Sequence, residues 1–103
     1  MKPFALAACA ALMLSLSASL APAGPIERAC LQSDRKAANR SVCACIQQAA
    51  DATLRRPEQR KAAAFFKNPD RAQQVRMSKS DADNEFWGRY KRFGQQAEAQ
   101  CAR

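Results

Sequence analysis

Cys43-Ala44-Cys45 places two cysteines two residues apart near the middle of the 103-residue chain, between Cys30 and Cys101. At about 100° per residue the two central cysteines fall on opposite flanks of a helix, so a bond between them would be strained. We therefore expect Cys30 and Cys101 each to bond one of the two, and the sequence leaves open which takes which. Such bonds would tie one helix to two different neighbours.

The amino-terminal part of the chain has the features of a signal peptide. A positive start precedes an uncharged run, residues 4–20, and Ala21-Pro22-Ala23 has the small-x-small pattern of a signal-peptidase site. The sequence predicts cleavage after this pattern, which makes residues 1–23 a signal peptide and residues 24–103 a single helical domain. The mature protein would then be periplasmic or secreted, where disulfides form and persist.

Two other interpretations of this leader compete with cleavage. A retained membrane anchor is one, because about 17 apolar or small residues are close to the minimum that spans a bilayer. Lipidation of Cys9 is the other, because Leu6-Ala7-Ala8-Cys9 matches a lipobox. Only eight residues precede Cys9, too few for a charged region and a full apolar region, and the apolar run continues beyond it.

The mature chain of 80 residues is close to the size at which a hydrophobic core alone is marginal. Two disulfides would contribute roughly 3 kcal/mol for a loop closed from Cys30 and roughly 4 kcal/mol for the long loop to Cys101. Because Lys2 leaves with the leader, 16 basic residues face nine acidic ones, a net charge of about +7. This excess favours anionic partners.

In the predicted mature chain, the spacing of apolar residues and the signals for helix starts and ends predict helices. Their expected positions are from Pro25 to about Leu31, from Lys36 or Asn39 to Arg55, from Pro57 onward, a short helix capped by Asn68, and from Asp81 to Cys101. Few residues are β-branched, and no segment alternates polar and apolar residues for long enough to form a strand. We predict an all-α fold, a small irregular bundle of four to five helices stapled by two disulfides.

Helical spacing also predicts which residues form the core. The last helix has the strongest period. The expected inward residues are Phe86, Tyr90, Phe93, Ala97 and Cys101 in that helix, Ala62, Phe65 and Phe66 in the third, and Val42, Cys45, Ile46, Ala49 and Thr53 in the second.

The chain contains no histidine, which removes Ser-His and Cys-His pairs and the usual general base near neutral pH. We therefore expect no enzyme, no metal and no cofactor. The acidic residues Asp81, Asp83 and Glu85 lie where a helix begins, and negative charge there is favoured by the helix dipole. Ser80 with Asp83 three residues later resembles a capping box. Cys43 and Cys45 also keep open a soft-metal or thiol-redox function.

Two groups of residues are candidates for contact with anions. One combines basic side chains with an aromatic ring, and the other is a cluster of basic side chains. The first is Trp87, Arg89, Lys91 and Arg92, and the second is Arg55, Arg56, Arg60 and Lys61. Lipid headgroups, acidic polysaccharide or a periplasmic protein are the partners we expect. Nucleic acid is not expected, because it is scarce in the periplasm.

The runs GPIERACL (24–31), DRKAANR (34–40) and CACIQ (43–47), with Phe65-Phe66-Lys67, Phe86-Trp87 and Cys101, resemble a family of small exported alphaproteobacterial proteins related to those of Rhodobacter. The likeness covers essentially the whole mature chain. Members of this family often carry the label "arginine transporter". The resemblance therefore implies a role in arginine transport, and without a spanning segment this would be an accessory or binding role.

These observations together predict a small basic periplasmic protein that acts without catalysis, as a binding or interaction module. An accessory to arginine or amino-acid transport is the alternative that the resemblance implies. A Cys-x-Cys metal or redox protein is the third.

Overall fold

A computed structural model of the protein describes residues 24–33, 36 and 38–101. These residues form five α-helices: α1 (Pro25–Leu31), α2 (Arg40–Thr53), α3 (Arg56–Lys67), α4 (Pro69–Met77) and α5 (Asp81–Cys101). No strand occurs in those ranges. The predicted all-α fold with two disulfides is confirmed. The predicted signal peptide, its cleavage site after Ala23 and the lipobox at Cys9 lie outside the described residues.

The break between α2 and α3 is caused by Pro57. A continuous helix would place the proline ring against the carbonyl group of Thr53, four residues earlier. The backbone is instead extended at Leu54 (φ −125°, ψ 139°) and at Arg55 (φ −74°, ψ 160°). The predicted end of the second helix at Arg55 is therefore wrong by two residues, and α3 begins one residue before the proline.

The helices differ in whether a side chain caps their first turn. Asn39 caps α2, since its side-chain oxygen accepts a hydrogen bond from the backbone N–H three residues on, at 2.9 Å. Asn68 occupies the cap position of α4 without such a bond. At α5 only half of the predicted capping box forms: the Ser80 hydroxyl accepts from the Asp83 N–H at 3.1 Å, while the Asp83 carboxylate turns to Lys61.

The two disulfides diverge from the central cysteine pair. Cys30 of α1 bonds Cys43, 13 residues away, and Cys45 bonds Cys101 at the end of α5, 56 residues away. The α-carbons are 5.5 Å and 5.8 Å apart, within the range that disulfides require. The structure thus decides the pairing that the sequence left open, and it places α2 between α1 and α5.

The hydrophobic core joins all helices except α4, which contributes only half-buried residues. Its buried members are Ile26, Ala49, Ala50, Leu54, Ala62, Phe65, Phe86 and Phe93. The ring of Phe65 meets Phe86 and Tyr90 edge-on, with centroids 6.0 Å and 5.3 Å apart. These aromatic contacts hold α3 against α5. The predicted inward stripe of α5 is confirmed, with Tyr90 and Ala97 half-buried and the other three buried.

Two glutamines lie inside the bundle, where the apolar pattern did not predict them. Gln47 is 5% exposed and Gln59 is 2% exposed. The Gln47 amide donates to Gln59 and to Asp51, both at 2.8 Å, and its oxygen accepts from the Glu27 N–H at 2.9 Å. Gln59 donates in turn to Asp51 at 3.0 Å and to the Leu54 carbonyl at 3.2 Å. The network links α1, α2 and α3, and burial is tolerated because the amides are satisfied.

The buried face of α2 is turned by about one residue from the predicted one. Cys43, Gln47, Ala49 and Ala50 are the buried residues, whereas the predicted Val42, Cys45, Ile46 and Thr53 are only half-buried. The reason is that the Cys30–Cys43 disulfide joins α2 to α1 and the Gln47–Gln59 hydrogen bond joins it to α3. An apolar pattern detects neither of these links.

The three glycines of the chain have different surroundings. A Cβ on Gly24 would collide with the amide group of Gln47, so this site needs a residue without a side chain. A Cβ on Gly88 or on Gly94 would meet no atom within 4 Å outside its own helix. Both lie inside α5, where glycine costs backbone entropy relative to alanine without any gain in packing.

We predict that Gly88→Ala and Gly94→Ala each raise the free energy of unfolding by about 0.5–1 kcal/mol. Gly24→Ala is the matched contrast, since it forces the Gln47 amide out of its hydrogen bonds and should lower the free energy by about 1–3 kcal/mol. Urea unfolding of the three variants measures the differences. Equal effects at all three sites would contradict this account.

We also predict that the long disulfide stabilises the fold more than the short one. Replacing Cys45 and Cys101 together by alanine should lower the free energy of unfolding by about 4 kcal/mol, and replacing Cys30 and Cys43 by about 3 kcal/mol, because the longer loop loses more entropy on closure. Urea unfolding under oxidising conditions tests the order. A reversed order would show that loop length does not govern the stability.

Candidate anion-binding groove

Two of the eight predicted anion-contact residues form ion pairs within the fold. Arg89 of α5 donates through Nε to the Glu58 carboxylate of α3. Lys61 of α3 donates to Asp83 of α5 at 2.9 Å, and its Nζ lies 4.6 Å from the centroid of the Phe86 ring. These ion pairs join the same two helices as the aromatic contacts, so both cations stabilise the bundle.

Glu58 is the better shielded of the two carboxylates, with 13% of its side chain exposed. Desolvation alone would raise its pKa, but the hydrogen bonds from the Arg55 backbone N–H and from the Arg89 guanidinium outweigh it, and the pKa of Glu58 is lowered. Hydrogen bonds from Ser78 and Lys61 likewise lower the pKa of Asp83. Both carboxylates are therefore charged at neutral pH.

The other members of the first predicted group do not form one patch. Trp87 is half-buried, and its ring lies 5.1 Å from that of Tyr90 between centroids. Lys91 and Arg92 are exposed. Lys91 follows Trp87 by one helical turn and shares its flank, whereas Arg92 is displaced by about 100° around the helix. The structure therefore separates this group over different sides of α5.

The second predicted group leads to a groove between α1 and α3. Arg55, Arg56 and Arg60 are all exposed, and Arg60 lines this groove. The groove has a volume of about 290 Å³, and its lining residues are Pro25, Arg28, Ala29, Arg60, Ala63, Ala64 and Lys67. We call it the basic groove. Its floor is proline and alanine, which lets the two helices approach closely and leaves the depression shallow.

Among the described residues, three cations and no carboxylate line the basic groove. Arg28, Arg60 and Lys67 form no ion pair or hydrogen bond through their charged groups with any residue that the structure describes. Arg56 extends the same face of α3, because it precedes Arg60 by four residues. The arrangement can bind an anion, since two guanidiniums offer forked donors and the ammonium group adds a point charge.

Sequence reasoning found Arg56 and Arg60 but missed Arg28 and Lys67. Lys67 follows Arg60 by seven residues, two helical turns, and this spacing was visible in the sequence. Arg28 lies on a different helix, and no spacing rule relates it to α3. Only the packing of α1 against α3 brings it to the groove.

The cysteine pair has no free thiol in this structure. Cys43 and Cys45 are both in disulfides, so neither sulfur is a thiolate available to a metal or to exchange. Within the described ranges no three acidic, cysteine or histidine side chains come together at a point that suits a metal ion. The acidic residues at the start of α5 include Asp83, which pairs with Lys61 instead.

No protein-family model, curated protein or solved structure matches the chain. None of the described helices has the length and hydrophobicity to cross a bilayer.

We predict that Glu58→Gln lowers the free energy of unfolding at neutral pH by about 1 kcal/mol, because it removes the charge that Arg89 and the Arg55 amide contact. Since the pKa of Glu58 is below its ordinary value of 4.5, its contribution is complete above that pH and is lost as the pH falls through the lowered folded value.

Urea unfolding at pH 7 and at pH 3 tests this prediction. The difference in stability between wild type and Glu58→Gln should shrink at pH 3, where the wild-type carboxylate is largely protonated in the unfolded chain and its advantage is reduced. Glu98→Gln on the exposed end of α5 is the control and should show little difference at either pH. A difference that is independent of pH would refute the assigned role.

Proposed function

We propose that the mature chain is a small basic protein of the periplasm that docks, without catalysis, on an anionic membrane surface through the basic groove. The observation that carries this proposal is the convergence of Arg28, Arg60 and Lys67, from two helices, on a shallow depression that no carboxylate of the described residues lines. Phosphate groups of lipid headgroups are the anions that such a surface presents.

The shape of the groove favours a surface over an enclosed small molecule. It is open to solvent, its uncharged lining residues are proline and alanine, and its three cations are exposed. With Arg56 the cationic face runs along α3, a helix of 12 residues and about 18 Å. A row of this length can meet more than one headgroup at the same time.

The apolar residues of α3 are already used in the core. Ala62 and Phe65 are buried, and the exposed residues of the helix are predominantly polar or charged. Docking would therefore be electrostatic and peripheral, without insertion of an apolar helix face. The net charge of about +7 adds long-range attraction. Such attraction is screened by salt, with a Debye length of about 10 Å at 0.1 M.

Two features support the periplasmic part of the proposal. The disulfides fit an oxidising compartment. The helices also lie within the predicted mature chain, since α1 begins at Pro25, directly after the first residue that cleavage would leave.

The proposal that the protein acts without catalysis is supported by the state of its ionisable groups. Glu58 and Asp83 are paired with cations and have lowered pKa values. A carboxyl group is an efficient general acid or base at neutral pH when its pKa is raised toward 7, and the pKa values of these two are shifted the other way. The cysteines that would act as nucleophiles are in disulfides.

Arginine binding, which the family resemblance implies, would need a different site. A guanidinium group is recognised by carboxylates that converge on it. The basic groove presents cations, and the Glu58 and Asp83 carboxylates already face Arg89 and Lys61. Calorimetric titration with free L-arginine separates this function from anion binding, and we expect no heat of binding.

We predict that the mature protein co-sediments with vesicles of phosphatidylglycerol and phosphatidylethanolamine at low ionic strength. Changing Arg28, Arg60 and Lys67 together to glutamine should weaken this binding by at least about 100-fold, at about 1 kcal/mol for each basic residue near the surface. Binding of the wild type should also fall steeply between about 0.05 M and 0.5 M salt.

The control variant removes the same charge elsewhere, by changing the exposed Arg40, Arg76 and Lys79 to glutamine. It should keep most of the binding, because these residues lie outside the groove. Equal losses in both variants would show that net charge alone attracts the protein. No binding of the wild type at low salt would refute the proposed function.

A further inference from the structure

A second cavity lies where α3, α4 and the start of α5 meet. It has a volume of about 330 Å³, and its lining residues are Lys61, Phe65, Arg71, Gln74, Val75, Ser78 and Asp83. We call it the α4 pocket. It shares no residue with the basic groove, and its size is at the small end of the range for ligand sites.

One face of α4 is directed at this pocket. Arg71, Gln74 and Val75 are spaced by three residues and one residue, which places them on one side of α4, and Ser78 directly follows the helix. Val75 is half-buried against the core. The α3 residue Phe65, only 6% exposed, completes an apolar floor. The pocket therefore has polar walls above an apolar base.

Of the charged side chains that line the α4 pocket, Arg71 has no ion pair with any described residue. Lys61 and Asp83 neutralise each other at 2.9 Å. Arg71 forms no ion pair with the described residues, and the side chain of Gln74 forms no hydrogen bond with them. The Arg71 guanidinium and the Gln74 amide are thus donors of the pocket lining that have no partner among the described residues.

We propose that the α4 pocket binds a small monocarboxylate that carries a short apolar tail. The carboxylate would accept from the Arg71 guanidinium in the forked geometry that suits a planar anion, with the Gln74 amide as a further donor. The tail would lie on Phe65 and Val75. A monoanion matches the single uncompensated charge, whereas a phosphate dianion would bring its second charge close to Asp83.

Hexanoate is the probe that tests this proposal, by titration of the ¹⁵N-labelled mature protein followed by amide NMR. We expect saturable shifts of amides along residues 65 and 71–78. Acetate and hexanol are the matched probes, one without a tail and the other without a charge, and each should bind at least about tenfold more weakly. Equal binding of acetate, or of hexanol, would refute the proposal.

Arg71→Gln is the diagnostic variant, because the side chain is exposed and its loss leaves the core intact. It should weaken hexanoate binding about tenfold or more. Arg76→Gln, five residues further along α4 on another face, should leave the affinity unchanged. Equal affinity of Arg71→Gln and wild type would overturn the assignment. Shifts confined to residues 28, 60 and 67 would also overturn it, because they would place the anion in the basic groove, and so would the absence of any shift.

Discussion

The two disulfides that leave α2 in different directions are the constraint on which the rest of the structure depends. Cys43 and Cys45 project from different sides of one helix, and their disulfides hold α1 on one side and the far end of α5 on the other. In a mature chain of about 80 residues such cross-links are worth as much as the net stability of many domains. With both neighbours fixed, α3 is left to pack beside α1 and to meet α5 through aromatic rings.

Polar interactions then set the register of α3. The buried amides of Gln47 and Gln59 connect it to α2, and the ion pairs of Glu58 and Lys61 connect it to α5. These contacts use the carboxylates that lie near the basic side chains on the inner faces of the helices. The cations on the outer face of α3 keep no such partner among the described residues. Glu58 and Asp83 thus neutralise Arg89 and Lys61, and the three cations of the basic groove have no ion pair with the described residues.

Whether a sequence pattern predicted the structure correctly depended on the kind of interaction involved. Apolar spacing predicted α5 and its inward residues correctly, because a long helix against a core must present one apolar face. The same reasoning misplaced the buried face of α2, since Gln47 is held inside by hydrogen bonds with residues 12 and 20 positions away along the chain. The clustering of basic and aromatic residues made Arg89 and Lys61 candidates for anion contact, and no local pattern shows that Glu58 and Asp83 lie opposite them.

The sequence by itself determined the helical class, the helix break at Pro57, the start of the last helix at Asp81, and the rule that Cys30 and Cys101 each bond a different central cysteine. These properties follow from local sterics, helical period and the spacing of the cysteines. Tertiary structure alone decided which cysteine pairs with which, which cations are neutralised and which converge in the basic groove. The physical reason is that charge and hydrogen-bond partners are chosen by distance in space, and helix packing brings together residues that no period along the chain relates.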